Sequence, residues 1–408
     1  MDRRIFLSLA LAGCATPALR TAVAQEPGTA PPPAAAGFYL WLSEFRGKAL
    51  AAGVPQRVVD RELEGLTPNP RVVQLDGAQP EFSKPIGDYI KGQFSEARIG
   101  QGRRLRTELT FLPGIESRFG VNRDILLAIW AMESAFGAIQ GDFDVVRSMA
   151  TLAADGRRRA WAEGQLIAAL KILAAGDIPR EKLKGSWAGA MGQTQFIPQT
   201  YLDRAVDADG DGHIDIWASR ADALGSAANL LSASGWVRGG DWAREVILPQ
   251  GFDYSLTEGP RWQPAAWEAR GVRRADGRPW IATQASAETQ LVVPMGAKGP
   301  AFLLFPNHFV IRKYNNSLAY ALAIGLLADA FLGRPGIVQA WPSEPPMSLA
   351  DRIAAQQALA RAGFDPGQPD GVVGSGTRAA LRRWQAARGL PPDGYLSAEM
   401  VRRLRAEP

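Results

Sequence analysis

At 408 residues, 46% apolar and 21% charged, the chain has the composition of a globular protein with room for two or three domains, and disorder throughout is excluded. A net charge of +5 and a pI near 9.4 would suit an anionic partner such as nucleic acid, a membrane surface or a cell wall, but the excess is small for this length. One cysteine and two histidines exclude a disulfide-stapled core, a thiolate cluster and a multi-histidine metal centre; no HExxH or GxSxG motif occurs, so carboxylate chemistry remains.

Residues 1–25 have the parts of an export signal: Arg3 and Arg4, an apolar run from Ile5 to Ala12, then small residues. The run is too short for a stable bilayer anchor. Leu11-Ala12-Gly13-Cys14 resembles the lipobox of bacterial lipoproteins, which makes Cys14 a candidate lipidation site. Ala22-Val23-Ala24 resembles an ordinary signal-peptidase site, and Arg3-Arg4-Ile5-Phe6-Leu7 a twin-arginine signal, so exit and route both stay open. Residues 26–37, EPGTAPPPAAAG, read as a Pro/Ala linker. From Phe38 the spacing predicts a helix with Leu40, Phe45 and Leu50 as its apolar positions, ending at Gly53. Amphipathic segments over Pro85–Arg98 and Arg103–Ser117 follow.

Asp124–Gly137, DILLAIWAMESAFG, predicts a mostly apolar helix carrying one carboxylate, Glu133. At helical spacing Ile129 and Trp130 stand one turn before it, and Phe136 and Gly137 one turn after. A carboxyl in such surroundings loses water, which disfavours its charged form and suits it to donate a proton to a glycosidic oxygen. Taken alone, a partly exposed or Arg-paired Glu fits the same pattern.

A long helix is predicted over Arg158–Ala175, with Trp161, Leu166, Leu170 and Leu173 at suitable spacing. In Gly185–Tyr201, GSWAGAMGQTQFIPQTY, the glycines let backbone approach a ligand closely, but no Lys-Ser/Thr pair follows them, so it is not a phosphate loop. Ser186, Gln193, Gln195 and Tyr201 are uncharged hydrogen-bonding groups suited to hydroxyls and acetamides, although a packed turn between helices fits the composition equally well. Asp207–Asp215, DADGDGHID, has carboxylates at Asp207, Asp209, Asp211 and Asp215, with Gly212 at the sixth position, the spacing of a calcium loop. The twelfth position is Ala218 and Asp222 lies four residues later, so a plain solvated acidic turn remains the alternative. The candidate metal set is Asp207, Asp209, Asp211, His213 and Asp222.

After a helix over Ala221–Ser234 the composition changes. Glu245–Pro249, Thr289–Pro294, Ala301–Pro306 and His308–Tyr314 are short Val-, Ile-, Leu- and Phe-rich runs that predict a small antiparallel sheet between helices. A polar corner at Tyr314-Asn315-Asn316 and an apolar helix through Ala330 close the region. Residues 333–347 form a second Pro-rich linker. In residues 348–408, Ser348, Thr377 and Ser397 are predicted to cap three short helices, and Asp370-Gly371 recurs as Asp393-Gly394, a partial internal repeat.

AMESAFG, GSWAGAMGQTQFIP, AVDADGDGHIDIW, ALGSAANLL and IRKYNNSLAYA, in that order, resemble the membrane-bound lytic murein transglycosylase B family, and DGVVGSGTRAALRRWQ resembles a type 1 peptidoglycan-binding domain. The resemblance implies a mainly α (α+β) fold: a lysozyme-like catalytic domain over 38–332 with a small inserted antiparallel sheet, and a three-helix peptidoglycan-binding domain over 348–408. It implies that Glu133 is the single catalytic acid and base, that Ser186 and Gln195 contact the saccharide, and that Tyr314 and Asn315 line the cleft near Glu133. Some members hold calcium in the loop matching DADGDGHID, so a structural Ca2+ is implied, while the chemistry requires no cofactor. The implied partners are peptidoglycan glycan strands, and the outer membrane through a lipid anchor, with no nucleic acid; the implied location is the periplasm. The reaction would protonate the oxygen between N-acetylmuramic acid and N-acetylglucosamine, then close a 1,6-anhydro ring without water. Two rivals are a muramidase-type hydrolase, for which Asp142 and Asp144 are the nearest second carboxylates in sequence, and a non-catalytic wall-binding lipoprotein.

Overall fold

A computed structural model describes residues 33–77 and 84–407; Cys14 and the export signal lie outside the described residues. The described residues divide into two compact units, one drawn from 33–77 and 129–230, the other from 84–128 and 231–407.

The first unit begins with the helix Pro33–Ala51, which starts inside the expected linker. Proline is tolerated in a first turn and Ala34–Ala36 are strong helix formers. Its buried stripe is Phe38, Trp41, Leu42, Phe45 and Ala49, at i, i+3, i+4, i+7 and i+11. The expected positions Leu40 and Leu50 fall off that stripe and are 67% and 38% exposed. Val145–Asp155 and Arg159–Ala175 pack together across a turn at Gly156, and Leu166, Leu170 and Leu173 are buried as the spacing predicts. A two-residue antiparallel pairing of Phe143–Asp144 with Lys184–Gly185 joins the segments on either side of this helix pair. Buried Asp76 is paired with Arg157 and Arg158, and buried Glu62 with Arg180 at 3.1 Å, so these carboxylates brace helices.

The second unit is organised on a five-stranded antiparallel sheet in the spatial order Arg261–Trp262, Thr289–Val292, Ala301–Leu304, Ala243–Ile247, Arg273–Arg274. Leu291 faces Leu303 across the central pair, and both join Val246, Trp267, Val272 and Phe305 in one apolar cluster. The run His308–Tyr314, for which composition predicts a strand, belongs instead to the helix Pro306–Tyr314. Pro306 opens its first turn, and burial of His308, Val310, Ile311 and Tyr314 follows three-to-four spacing rather than alternation. The earlier segments regroup as Ile86–Gln93, Glu96–Glu108 and Leu112–Phe119, because Ser95 caps a new helix through the Arg98 N–H at 3.2 Å. Leu318–Phe331 packs on the first two of these. A Cβ at Gly102 would stand 2.2 Å from the Phe331 ring, and one at Gly325 2.1 Å from Trp242, so both glycines are there for close approach.

Residues 348–407 form the helices Leu349–Arg361, Ser375–Ala386 and Ala398–Ala406 around Leu359, Leu381, Trp384, Val401 and Leu404. Ser348 and Ser397 cap as predicted, accepting from Asp351 N–H at 3.1 Å and Met400 N–H at 3.2 Å. Thr377 does not cap; its helix starts at Ser375, and its buried hydroxyl accepts from Gln356 at 3.1 Å. The partial repeat has a physical counterpart. Buried Gln356 accepts from Gly371 N–H at 2.7 Å, and buried Gln385 from Gly394 N–H at 2.8 Å, so each helix holds the Asp-Gly turn that follows it. This bundle is docked on the sheet region. Asp393 accepts from Ala297 N–H at 2.8 Å, and Glu258 pairs with Arg378 at 2.8 Å and Arg382 at 3.1 Å. The expected Pro-rich linker 333–347 is pinned rather than loose: Trp341 stacks on Phe302, and the Glu245 carboxylate accepts from Val338 and Gln339 N–H at 2.6 and 2.8 Å.

His308 is fully buried, and neither ring nitrogen meets a partner among the described residues. Burial, with the nearby Arg312 charge adding to it, pushes its imidazole from 6.5 down to about 3. The unfolded state therefore binds more protons across that interval, and stability falls as pH drops through it, by at most about 1.4 kcal/mol per pH unit. His308→Leu should narrow the gap between urea midpoints measured at about pH 5 and about pH 7.5; an unchanged gap would assign the acid sensitivity elsewhere.

Candidate active site

The helix Arg123–Ser134 carries Glu133 next to its end. From Ile125 to Ala131 every residue is buried, a helix apolar all round, which is the condition for a core helix. Glu133 is half-buried, while Trp130 and Ser134 are each 1% exposed. The chain then leaves the helix earlier than the spacing predicts. Ala135, Phe136 and Gly137 have φ of 50°, 59° and 84°, three successive left-handed residues, so Phe136 and Gly137 do not continue the Glu133 face. Phe136 N–H reaches back to the Trp130 carbonyl at 3.1 Å, and the Phe136 ring meets the Trp130 indole edge-on at 5.5 Å. Two of these residues carry side chains, and left-handed backbone at such positions stores strain that the surroundings must hold.

The Gly185–Tyr201 stretch is a set of tight turns tied by bridges from Met191 to Gly185 and to Phe196. Ser186 is 2% exposed, and its Oγ accepts from Ala190 N–H at 3.0 Å and Ala188 N–H at 3.3 Å, so it closes its own loop. Gln195 is half-buried at φ 52°; its amide donates to the Gly192 and Gln140 carbonyls at 2.8 and 3.1 Å, which leaves its carbonyl end as the group with an acceptor to offer a hydroxyl. Gln193 and Tyr201 are buried at 4% and 3% and serve the fold. The Tyr201 hydroxyl donates to the Ile214 carbonyl at 2.8 Å, and burial beside Asp177 raises its pKa. A feature not expected from the sequence is Arg158, which lies over the half-buried rings of Trp161 at 4.9 Å and Trp187 at 5.7 Å and so ties the loop to the start of the preceding helix Arg159–Ala175. An Arg beside a Trp at helical spacing was the available signal, but Trp187 is distant in sequence.

Asp144, one of the two candidates for a second catalytic carboxylate, is committed elsewhere. It accepts from Arg147 N–H at 2.9 Å as a helix cap and pairs with Arg180 at 2.7 Å. Asp142 is exposed. Tyr314 and Asn315 belong to the other unit, at the end of the helix Pro306–Tyr314, 8% and 5% exposed.

In the acidic loop, carboxylate oxygens of Asp207, Asp209 and Asp211 lie within 4.8 Å of one another. These hard oxygen donors on alternate residues fit a divalent cation such as calcium, and exposed His213 follows at the next alternate position. Asp222 departs from the expected ligand role. It is 1% exposed, and its oxygens accept from Ala208 and Asp215 N–H, both at 2.8 Å. It therefore ties the loop's two ends together, and Asp215 likewise accepts from Trp217 and Ala218 N–H at 2.9 and 2.8 Å.

The sequence matches the Transglycosylase SLT domain family over residues 37–329 and the Putative peptidoglycan binding domain over 348–404. It is 32% identical over 213 residues to the membrane-bound lytic murein transglycosylase B of Escherichia coli (strain K12), a match covering 52% of this chain and 57% of that protein. The chain thus spans little more than half the length of that curated relative. Its structure is similar to that of SltB3 from Pseudomonas aeruginosa in complex with NAG-anhNAM-pentapeptide, with TM-score 0.87 and 47% identity over 90% of this chain and 99% of that one. It is also similar to an Escherichia coli lytic transglycosylase solved in complex with calcium, with TM-score 0.62 and 26% identity over 72% of this chain and 93% of that one.

Calcium at a hundredfold excess over its Kd should raise unfolding free energy by about 2.7 kcal/mol, read as a rise in melting temperature that EDTA reverses. Asp209→Asn should abolish that rise, whereas Asp222→Asn should lower the melting temperature with or without calcium. A calcium response retained in full by Asp209→Asn would remove the loop as the site.

Proposed function

The chain belongs to the SLT transglycosylase domain family, and from that premise we propose that it is a lytic transglycosylase cleaving the MurNAc–GlcNAc β-1,4 bond of peptidoglycan to leave 1,6-anhydroMurNAc ends. The observation that carries this reading is the half-buried Glu133, one turn after buried Trp130 at the end of a helix apolar all round, with Asp144 committed to the Arg147 N–H and to Arg180. The anhydro sugar in the ligand of the SltB3 complex agrees with it.

In this mechanism Glu133 donates its proton to the glycosidic oxygen as the bond breaks, and the substrate's own acetamide stabilises the positive sugar carbon. The resulting carboxylate takes the proton of the C6 hydroxyl, whose oxygen closes on C1. Water does not enter the reaction, and no cofactor is needed. Gln195 offers a saccharide contact, and Ser186 acts through the loop it closes. Calcium held by Asp207, Asp209 and Asp211 would neutralise their mutual repulsion and fix the loop, with no part in bond cleavage. Residues 1–25 are an export signal to the periplasm, with Cys14 as the site of a lipid that would hold the protein at the outer membrane. Among the described residues no helix is long and apolar enough to cross a membrane.

Glu133→Gln should retain the fold and abolish cleavage, because it removes the proton and little volume. Mass spectrometry of wild-type digests of peptidoglycan should give products lighter by one water and inert to borohydride; reducible ends would instead indicate a hydrolase, and turnover by Glu133→Gln would refute its role. Removal of 348–408 should reduce pelleting with insoluble peptidoglycan. Undiminished pelleting would take wall binding away from the tail.

A further inference from the structure

Glu133 stands one residue before the end of its helix, so its carboxyl has a defined direction only if that end is held. The following three residues are left-handed, and Ala135 and Phe136 have no intrinsic preference for that conformation. Beside the turn's own backbone bonds, side-chain bonds at this helix end converge on Gln193. Its side-chain Oε1 accepts from the Trp130 indole N–H at 3.1 Å, and its backbone carbonyl accepts from the Ser134 hydroxyl at 2.5 Å. Ser134 Oγ in turn accepts from Gly137 N–H at 2.9 Å, inside the left-handed turn. Gln193 is itself anchored, donating its N–H to the Ile216 carbonyl at 2.9 Å, and it is 4% exposed. It packs so closely that a Cβ on Gly137 would stand 2.4 Å from its Oε1.

We infer that Gln193 is a positioning residue for Glu133: by holding Trp130 one turn before the carboxylate and Ser134 directly after it, Gln193 sets the carboxyl's aim. The inference rests on the function proposed above. One carboxyl there serves two oxygens in succession, the leaving glycosidic oxygen and then the C6 hydroxyl, and a loosened helix end would misplace it for both. Misplacement of a reacting group by about 1 Å costs on the order of 10²-fold in rate. Because Gln193 is buried, it contributes through the helix end and not through the saccharide.

The test measures kcat and KM on soluble glycan fragments for wild type, Gln193→Met, Trp130→Phe and the double variant, with product ends identified by mass spectrometry. Gln193→Met keeps length and removes the acceptor; kcat should fall 10-fold or more, on the order of 10²-fold at most, with KM within about 3-fold. The double variant should be no slower than the slower single, because both remove one linkage. Unchanged kcat, a rise in KM alone, or fully multiplicative losses in the double variant would overturn the inference. If Gln193→Met fails to fold, Ser134→Ala breaks the second linkage at small cost in volume and is judged on the same kcat and KM criteria. Reducible ends from the wild type would overturn the proposed function and this inference with it; anhydro ends with Gln193→Met at wild-type kcat would overturn this inference alone.

Discussion

The bond network at the end of the Glu133 helix is the constraint on which its surroundings depend. A buried helix must stop immediately after its carboxylate, and it does so through a left-handed turn that includes Ala135 and Phe136. Such a turn survives only where neighbours over-determine it. Ser134, Gln193 and Trp130 supply the bonds, and the Gly185–Tyr201 stretch approaches closely enough to deliver them because glycine occupies the contact positions. At Gly141 a Cβ would stand 2.2 Å from the Gly185 carbonyl, and at Gly192 2.7 Å from Ile216. Within the stretch a Cβ at Gly185 would stand 2.2 Å from the Ala190 carbonyl and one at Gly189 2.7 Å from the Met149 side chain, so its glycines serve close packing.

The commitments of the other carboxylates narrow the chemistry. Asp144 caps a helix and pairs with Arg180, Asp76 holds two arginines, Glu62 pairs with Arg180, and Asp222 stitches the acidic loop through backbone N–H groups. Each of these carboxylates is thereby held as a strut between segments of the fold. The proposed reaction, which uses one carboxyl twice with an internal hydroxyl as nucleophile, asks for no second carboxylate.

In the other unit the three-helix tail is not suspended from a flexible strand. Asp393 receives Ala297 N–H beside Gly296, whose φ of 68° leaves room that a Cβ would fill against Asp393 and Tyr395. Glu258, held at φ 62°, meets Arg378 and Arg382. With Trp341 stacked on Phe302 as well, the three-helix bundle, the segment before it and the sheet are bonded together at several points.

Helix-rich architecture, the inserted sheet and the serine caps of the tail were all legible in the order of residues, because periodicity, capping and turn chemistry act over a few positions. Where local signals compete, reading failed. Val310 and Ile311 suggest a strand, yet Pro306 and a three-to-four burial pattern make a helix; Leu40 and Phe38 are equally apolar, and only the partner helices decide that Phe38 is buried. Thr377 has the chemistry of a cap and is used inside the bundle. Gln193 could be grouped with saccharide-binding amides by type, but its bond to Trp130 spans 63 residues. Which hydrogen-bonding side chain is left at the surface and which holds the Glu133 helix is a matter of long-range placement, and that follows from packing of the whole unit rather than from any stretch within it.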